Sequence, residues 1–472
     1  MSNFAQASFS GDVWLRDAGS TPKSPWVRIS QTACVIFLLA QLFGGVLRWL
    51  LDFAGLSAAT YLPNVFMLGC VGFMLVADAV NQRTSRSLMV LVVVVLLSMV
   101  VGYLNTGKAV QVIFGAWVLM PFFFGLTYAP VLLRHDRYTR RVLALLFLIS
   151  ISGVILESFV ALPWVGLSYS LGGVDIEGAR EWQTSGGTAR LSGFARASFD
   201  VAGQILIYAA LLALQLRQGV LRILVWILAI AAISLSTSKG TLLSLVMTGV
   251  AVEAAIYRKP QIFYGVLTLG IFWMFVPPLM SWTLDWTIAA RTDLNHPLYG
   301  SFIDRMNDMW PRAGELAFEH GLPPLGRGLG GIGVPVSMFE PKLENAGDNL
   351  FVYCMVMLGI VSLPVFALGF VGLFKLCAQL RQEAARQALV IAVAVNWYGG
   401  VSNILEHAVL AFGFGMICRV VAAQLAGCTF GKAEPEPSSP SSPSLRSLPS
   451  SPIGTPSLIP TPINKTDRQT DV

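Results

Sequence analysis

Long apolar runs alternate with short polar breaks along most of this chain, and the runs have the length of membrane-crossing helices. A spanning helix needs about 20 mostly apolar residues. Runs of that kind lie near 31–51, 61–80, 87–104, 109–132, 142–163, 198–216, 221–237, 240–257, 261–281, 349–374, 387–403 and 405–426. The pattern predicts an all-α polytopic membrane protein with about twelve transmembrane helices. The 221–237 run is short and ends in Ser236-Thr-Ser-Lys-Gly240, where a tight reversal is expected.

Two breaks are much longer than the rest, at about Trp164–Ala197 and Trp282–Asp348. The expected organisation is an N-terminal segment (1–30), helices 1–5 (31–163), a first loop (164–197), helices 6–9 (198–281), a second loop (282–348), helices 10–12 (349–428) and a tail (429–472). The tail carries Glu-Pro-Glu-Pro and repeated Ser-Ser-Pro, a composition that buries too little apolar surface to fold. Residues 1–29 are polar and mixed, and the first apolar run lacks a small-residue cleavage pattern, so it is expected to be retained as a helix.

Composition agrees with this pattern. Hydrophobic residues make up 55% and charged residues only 12%, half of what a soluble globular chain carries. Mean hydropathy is +0.66. The six cysteines form no Cys-x-x-Cys pair, which argues against a disulfide framework, a metal or a redox use.

Charge placement gives the orientation. Lys and Arg collect in Asn81–Arg86, Arg134–Arg141, Arg217–Arg222, Tyr257–Pro260 and Lys375–Arg386, all on one side if each run crosses once. The positive-inside rule makes that side cytoplasmic and places both termini there. Both long loops are then non-cytoplasmic, and both are cationic. The first holds Arg180, Arg190 and Arg196; the second holds Arg291, Arg305, Arg312, Arg327 and Lys342. Long loops in a compact bundle usually carry function.

Arg190-Leu-Ser-Gly-Phe-Ala-Arg196 runs directly into the helix beginning Ser198-Phe-Asp200, with Ser198 and Asp200 as capping candidates. Guanidinium groups beside a helix N-terminus make an anion site. Lys239 is a cation near the hydrocarbon edge, either functional or snorkelling to the interface. In the second loop, Arg305-Met-Asn-Asp-Met-Trp310 reads as an amphipathic helix continuing to Phe318. Gly321-Leu-Pro-Pro-Leu-Gly-Arg-Gly-Leu-Gly-Gly-Ile-Gly333 follows, and its glycines permit close backbone approach to a ligand. The loop closes with Glu344-Asn-Ala-Gly-Asp-Asn349, where Asp348 is placed to cap the next helix.

In order and spacing, these elements resemble the O-antigen polymerase and ligase superfamily of bacterial envelope polysaccharide assembly, over roughly residues 185–375. The resemblance rests on Arg190-Leu-Ser-Gly193, the Ser-Thr-Ser-Lys-Gly240 turn, Arg305 followed by Trp310 and Pro-Pro-Leu-Gly-Arg-Gly-Leu-Gly330, and Asp348-Asn349 entering a helix that reaches Leu358-Gly-Ile360. It implies transfer of a glycan from an undecaprenyl-diphosphate carrier at the outer face of the bacterial inner membrane, with membrane lipid around the protein. It also implies a flippase and a chain-length regulator as pathway partners, and no nucleic acid.

Arg190, Lys239 and Arg305 are the diphosphate ligands the resemblance implies, and Arg196, Arg312 and Arg327 are further cationic candidates. Lys239 stands where relatives more often have Arg, which leaves a point charge in place of a bidentate fork. Ligases of the family usually carry a His before the helix that follows the second loop. Here that segment reads Asn345-Ala-Gly-Asp-Asn349, with His320 and His296 well upstream, which favours a polymerase of repeat units.

Because Arg and Lys can meet the charge of the leaving diphosphate, neither cofactor nor metal is expected. Asp348 and Glu344 are the leading candidates to accept the acceptor's proton, with His320 third and Arg305 beside them in the catalytic group. Three other readings stand beside this one: ligase-type transfer to lipid A core or protein, a lipid-linked oligosaccharide flippase, and a non-catalytic scaffold. Transporters concentrate charge in broken mid-membrane helices, whereas mid-span acids are few here (Asp78, Glu157, Glu253 and Glu406).

Overall fold

Apolar runs become helices wherever they occur among the residues that a computed structural model describes, namely 25–80, 86–133, 137–171, 174–183, 187–284 and 300–426. Residues 1–24 of the expected N-terminal segment and the Pro/Ser-rich tail lie outside them, as do Arg291 and His296, while residues 25–30 already belong to the first helix. In chain order the helices are α1 (Pro25–Leu42), α2 (Gly44–Phe53), α3 (Leu62–Val80), α4 (Arg86–Thr106), α5 (Ala109–Val118), α6 (Met120–Tyr128) and α7 (Arg137–Phe159). A hairpin of β1 (Ser168–Leu171) and β2 (Val174–Glu177) follows, antiparallel with Ser168 opposite Glu177. Then come α8 (Ser198–Gln215), α9 (Gly219–Leu235), α10 (Lys239–Ile256) and α11 (Pro260–Thr283). The second loop contributes α12 (Gly300–Asp304), a π-helical turn (Arg305–Met309), α13 (Trp310–Phe318) and α14 (Val334–Phe339). The chain finishes with α15 (Leu350–Leu358), α16 (Ser362–Cys377), α17 (Glu383–Gly399) and α18 (Ala408–Leu425).

Seven of the described helical segments are long and apolar enough to cross a membrane, and nine if each of two bent pairs counts as one span. The protein is thus a predominantly helical, multi-pass membrane protein. Both bent pairs fall inside runs that the hydropathy pattern counts as single spans. The first run turns by 75° between α1 and α2, and 109–132 bends by 41° between α5 and α6. Pro121, at the start of α6, explains the second break, since proline lacks an N–H and cannot continue the preceding ladder. Outward faces of α3, α4, α9, α11 and α16 expose Val65, Leu96, Val100, Ile227, Leu269, Phe272 and Leu368. Contiguous apolar surface of this kind needs a lipid solvent.

The core is organised around α8, in which nearly every residue is buried. It packs against α7, α9, α10, α17 and α18. α18 crosses α6 with backbones touching: a Cβ on Gly125 would collide with the Phe412 carbonyl, and one on Gly415 with the Phe122 carbonyl. Small residues at such crossings let helices approach when lipid offers no hydrophobic drive.

The Gly-rich stretch of the second loop is part of this packing. Leu329 N–H donates to the Ser98 carbonyl (2.9 Å), and Gln111 Nε2 donates to the Gly330 carbonyl (2.9 Å). A Cβ on Gly328 or Gly330 would strike the backbone of Gly102 or Gln111. These glycines serve close approach to helix backbones in α4 and α5.

Candidate functional site

Both long loops are moored at one end of the bundle, and each mooring can be traced to particular residues. Glu157, near the end of α7, accepts the backbone N–H of Ser192 (2.7 Å) and of Gly193 (2.5 Å). Gly193 takes φ +62, which suits glycine, and its carbonyl receives Trp164 Nε1 at 2.8 Å. The Leu191-Ser-Gly-Phe194 segment is therefore fixed, and Arg190 projects from it. Arg190 Nε donates to Thr237 Oγ1 at 3.2 Å, and its guanidinium carbon lies 5.9 Å from the Trp182 ring centre. Thr237 itself has φ +55, a strained state for a β-branched residue, in the reversal between α9 and α10.

In the second loop, Trp310 is fully buried and its carbonyl accepts Trp282 Nε1 at 2.7 Å. Asn345 Nδ2 donates to the Met309 carbonyl (2.8 Å), and Gly347 N–H donates to Asn345 Oδ1 (2.8 Å). Asn349, not Asp348, caps α15: its Oδ1 accepts the Val352 N–H (3.1 Å), while its Nδ2 donates to the Met274 and Gly400 carbonyls (3.0 and 2.9 Å). Asp348 is thereby free to face the other end of the loop. Its Oδ2 meets Arg305 Nη2 at 2.8 Å, and Arg305 Nη1 donates to the Ser301 carbonyl at 2.8 Å.

Of the candidate residues, Arg305 and Asp348 are in contact, and Arg190 is the one whose charge is felt with theirs. Arg190 lies within electrostatic reach of Arg305, Asp348 and Tyr398, and burial lowers its pKa from the ordinary guanidinium value. Lys239 opens α10 with an exposed side chain. Arg312 spans Asp308 (3.0 Å) and the Glu344 carbonyl (3.0 Å) on an exposed face, and Glu344 and His320 are exposed.

Arg327 is placed elsewhere. It is 2% exposed, with Nη2 at 2.7 Å from Glu340 Oε2 and Nη1 donating to the Gly331 carbonyl at 3.1 Å. This buried guanidinium is matched to a carboxylate and ties Gly331 and Glu340 of the loop together.

Arg196 belongs to a second cationic group. Burial, then the neighbouring Arg48 and Arg180 guanidiniums, push its pKa down to about 10, against the pull of Asp200. Arg180 pairs with Glu177 at 3.3 Å, and Arg48 donates to the Glu177 carbonyl at 3.0 Å. Arg196 Nε is buried with no hydrogen-bond partner among the described residues.

Residues outside the candidate catalytic and diphosphate-binding set join these groups. Ala197 occupies the N-cap of α8 without a side-chain bond, so neither Ser198 nor Asp200 caps it. Asp200 faces His407 instead, Oδ1 to Nδ1 at 3.6 Å, and His407 Nε2 lies 2.8 Å from Ser402 Oγ. Glu406 Oε1 accepts the Val334 N–H (2.9 Å) and the Tyr353 hydroxyl (3.2 Å). Burial pushes its pKa up to about 7, against the pull of those two donors.

The mid-span acids are accounted for in part: Glu157 clamps the first loop, and Glu253 pairs with Arg222 through two contacts of 3.1 Å. The side chain of Asp78 lies outside those described. No group of three or more His, Cys, Asp or Glu placed to hold a metal ion occurs among the described residues. In comparisons with known proteins, no family model, no curated protein and no solved structure matches the chain.

Proposed function

We propose that the chain polymerises undecaprenyl-diphosphate-linked oligosaccharide repeat units into a surface or secreted polysaccharide, as a metal-independent glycosyltransferase of the bacterial inner membrane. The observation that carries this reading is the convergence of Arg190 from the first loop and Arg305 from the second, with Asp348 and Tyr398 beside them. Two loops from different parts of the chain bring one guanidinium each within electrostatic reach of the other, a pairing that supports a polyanionic ligand. Two guanidiniums suit a diphosphate, because their fork geometry matches phosphate oxygens, for which Arg305 exchanges its bonds to Ser301 and Asp348. Their charge stabilises the leaving group as the bond to the anomeric carbon breaks.

The proposal includes about twelve spans with both termini cytoplasmic, which puts this end of the bundle in the periplasm beside a flippase and a chain-length regulator. The test is reconstitution of the full chain in liposomes with an undecaprenyl-diphosphate-linked oligosaccharide. A ladder of lengthened glycans is expected from the wild type, and none from Arg190→Ala or Arg305→Ala proteins that insert normally. Transfer only to an acceptor without a lipid carrier gives the ligase reading, and translocation without chain growth gives the flippase reading. Wild-type ladders in both variants overturn the assignment of the two arginines.

A further inference from the structure

α2 turns 75° away from α1, close to the right angle at which a helix leaves a membrane-crossing direction for the bilayer plane. Leu50 and Phe53 on it are 47% and 85% exposed. Three positions apart, they share one face of the helix, and at 3.6 residues per turn Arg48 lies on the opposite face. A helix with an exposed apolar face and a cation across from it fits the boundary between acyl chains and headgroups.

The same helix carries Arg48 to two arginines of the first loop. Gly45 N–H donates to the Phe194 carbonyl (3.0 Å). A Cβ on Gly44, one turn before Arg48, would lie 3.8 Å from Arg196 Cβ. Arg180 N–H donates to the Arg196 carbonyl (2.8 Å). Arg48 Nη1 donates to the Glu177 carbonyl (3.0 Å), and Arg180 Nε lies 3.3 Å from Glu177 Oε2. Three arginines are thereby gathered beside a single ion-paired acid. The Arg180 guanidinium carbon is 5.4 Å from the Trp182 ring centre, and that ring also neighbours Arg190. The group therefore adjoins the Arg190 side of the first site without sharing an arginine with it.

The group is short of anions. Arg196 forms no ion pair among the described residues, and its buried Nε has no hydrogen-bond partner among them. Burial, and then the Arg48 and Arg180 guanidiniums, lower its pKa to about 10. Like charges brought together by folding disfavour the charged state, and a buried donor left unmade adds a desolvation cost. A bound anion relieves both. Arg48, Arg180 and Arg196 are each partly exposed, so such a group can approach them from outside.

We propose that Arg48, Arg180 and Arg196 bind the phosphate of a membrane lipid, at a site distinct from the Arg190 and Arg305 pair. The guanidinium fork matches phosphate oxygens, and α2 in the bilayer boundary brings lipid phosphates to the depth of Arg48. The site stands whether or not the chain transfers glycan. Two kinds of lipid carry this chemistry, an anionic phospholipid and a polyprenyl diphosphate.

The test uses the full chain in uncharged detergent with Arg190→Ala and Arg305→Ala, so that the first site is silent. This parent protein is titrated with phosphatidylglycerol, with undecaprenyl diphosphate and with inorganic phosphate, and the rise in unfolding midpoint reports binding. At least one lipid should raise the midpoint. A response to phosphatidylglycerol identifies a phospholipid site, and a response to undecaprenyl diphosphate alone a polyprenyl site. Adding Arg196→Gln should weaken that lipid by about tenfold or more, the loss expected for a hydrogen bond to a charged group. Arg48→Gln, on a different element, should weaken it by a similar factor. Without lipid, Arg196→Gln should unfold no earlier than its parent, because it removes a repelling charge and breaks no hydrogen bond.

Affinity within about threefold of the parent's in both variants, or no midpoint rise with either lipid, overturns the proposal. Inorganic phosphate that binds as tightly as the lipids overturns the lipid origin of the ligand. An Arg196→Gln protein that unfolds earlier than its parent without lipid overturns it in favour of a structural role.

Discussion

The Arg305 guanidinium and the Asp348 carboxylate meet at 2.8 Å across 43 residues of the second loop, with both side chains about a fifth to a quarter exposed. Asp348 thus orients the arginine while leaving it open on one side. Removing the acid should loosen Arg305 without removing its charge. Asp348→Asn is expected to reduce chain growth by about tenfold, and Arg305→Ala by far more. The double variant should be no worse than Arg305→Ala, because coupled residues are non-additive. Growth rates of the three proteins in liposomes check this; additive losses would show that Asp348 acts independently of Arg305.

Arg305→Lys separates charge from geometry. The guanidinium reaches the Ser301 carbonyl and Asp348 at once, each at 2.8 Å. An ammonium on a flexible stem cannot hold that fork. The variant should keep measurable affinity for undecaprenyl diphosphate but bind it about tenfold more weakly, by titration of the purified protein.

Glu406 should leave a pH signature in stability. Its folded pKa of about 7 lies above the ordinary 4.5, so the folded protein holds this proton more tightly than the unfolded chain does. The resulting stabilisation is fully present below about pH 4.5 and is lost as pH rises through 7. Thermal unfolding midpoints in detergent should fall across that window for the wild type. Glu406→Gln, permanently neutral, should show a smaller fall, and identical profiles would refute the assignment.

The helices were legible because an apolar run of spanning length has no other way to satisfy its backbone in lipid. Their breaks were less so. Pro121 marks the start of α6 and the Gly44-Gly45 pair marks that of α2, but neither gives the size of the bend, 41° in one case and 75° in the other. The cationic character of both loops was visible, yet their division into two groups was not. Arg190 and Arg196 are six positions apart in sequence, and one turns to Thr237 and Trp182 while the other turns to Arg48 and Arg180. Asp200 read as a cap because it follows a loop; its partner His407 is far along the chain, and a pairing of that range leaves no local pattern. Asn403, Glu406 and His407, polar positions at the facing ends of the 387–403 and 405–426 runs, offered a faint signal, since a purely connecting turn has no need of all three.

Arg327 should behave as a structural residue. Truncation leaves Glu340 without its charge partner, and breaking a buried pair in this way costs about 3–5 kcal/mol. Arg327→Ala should therefore unfold at markedly lower temperature or denaturant, while Arg327→Met paired with Glu340→Leu should recover much of the loss, since matched apolar replacement of a buried pair is often neutral. If the double variant unfolds like the wild type but no longer binds undecaprenyl diphosphate, Arg327 is a ligand residue after all.

The glycines of the second loop allow a sharper test of the same point. Gly328 has φ +82, and a Cβ there would enter the backbone of Gly102; a Cβ on Gly102 would enter that of Leu329. Each alanine thus forces the same two segments apart, at a cost of about 2 kcal/mol or more from overpacking, with backbone strain added at Gly328. Gly328→Ala and Gly102→Ala should each lower the unfolding midpoint, and the double variant should fall by less than their sum, because the contact can be broken only once. Undecaprenyl diphosphate affinity, measured well below the midpoint, should stay near wild type in all three. Glycines that cradle a ligand would give the opposite pattern, with affinity lost in Gly328→Ala and kept in Gly102→Ala.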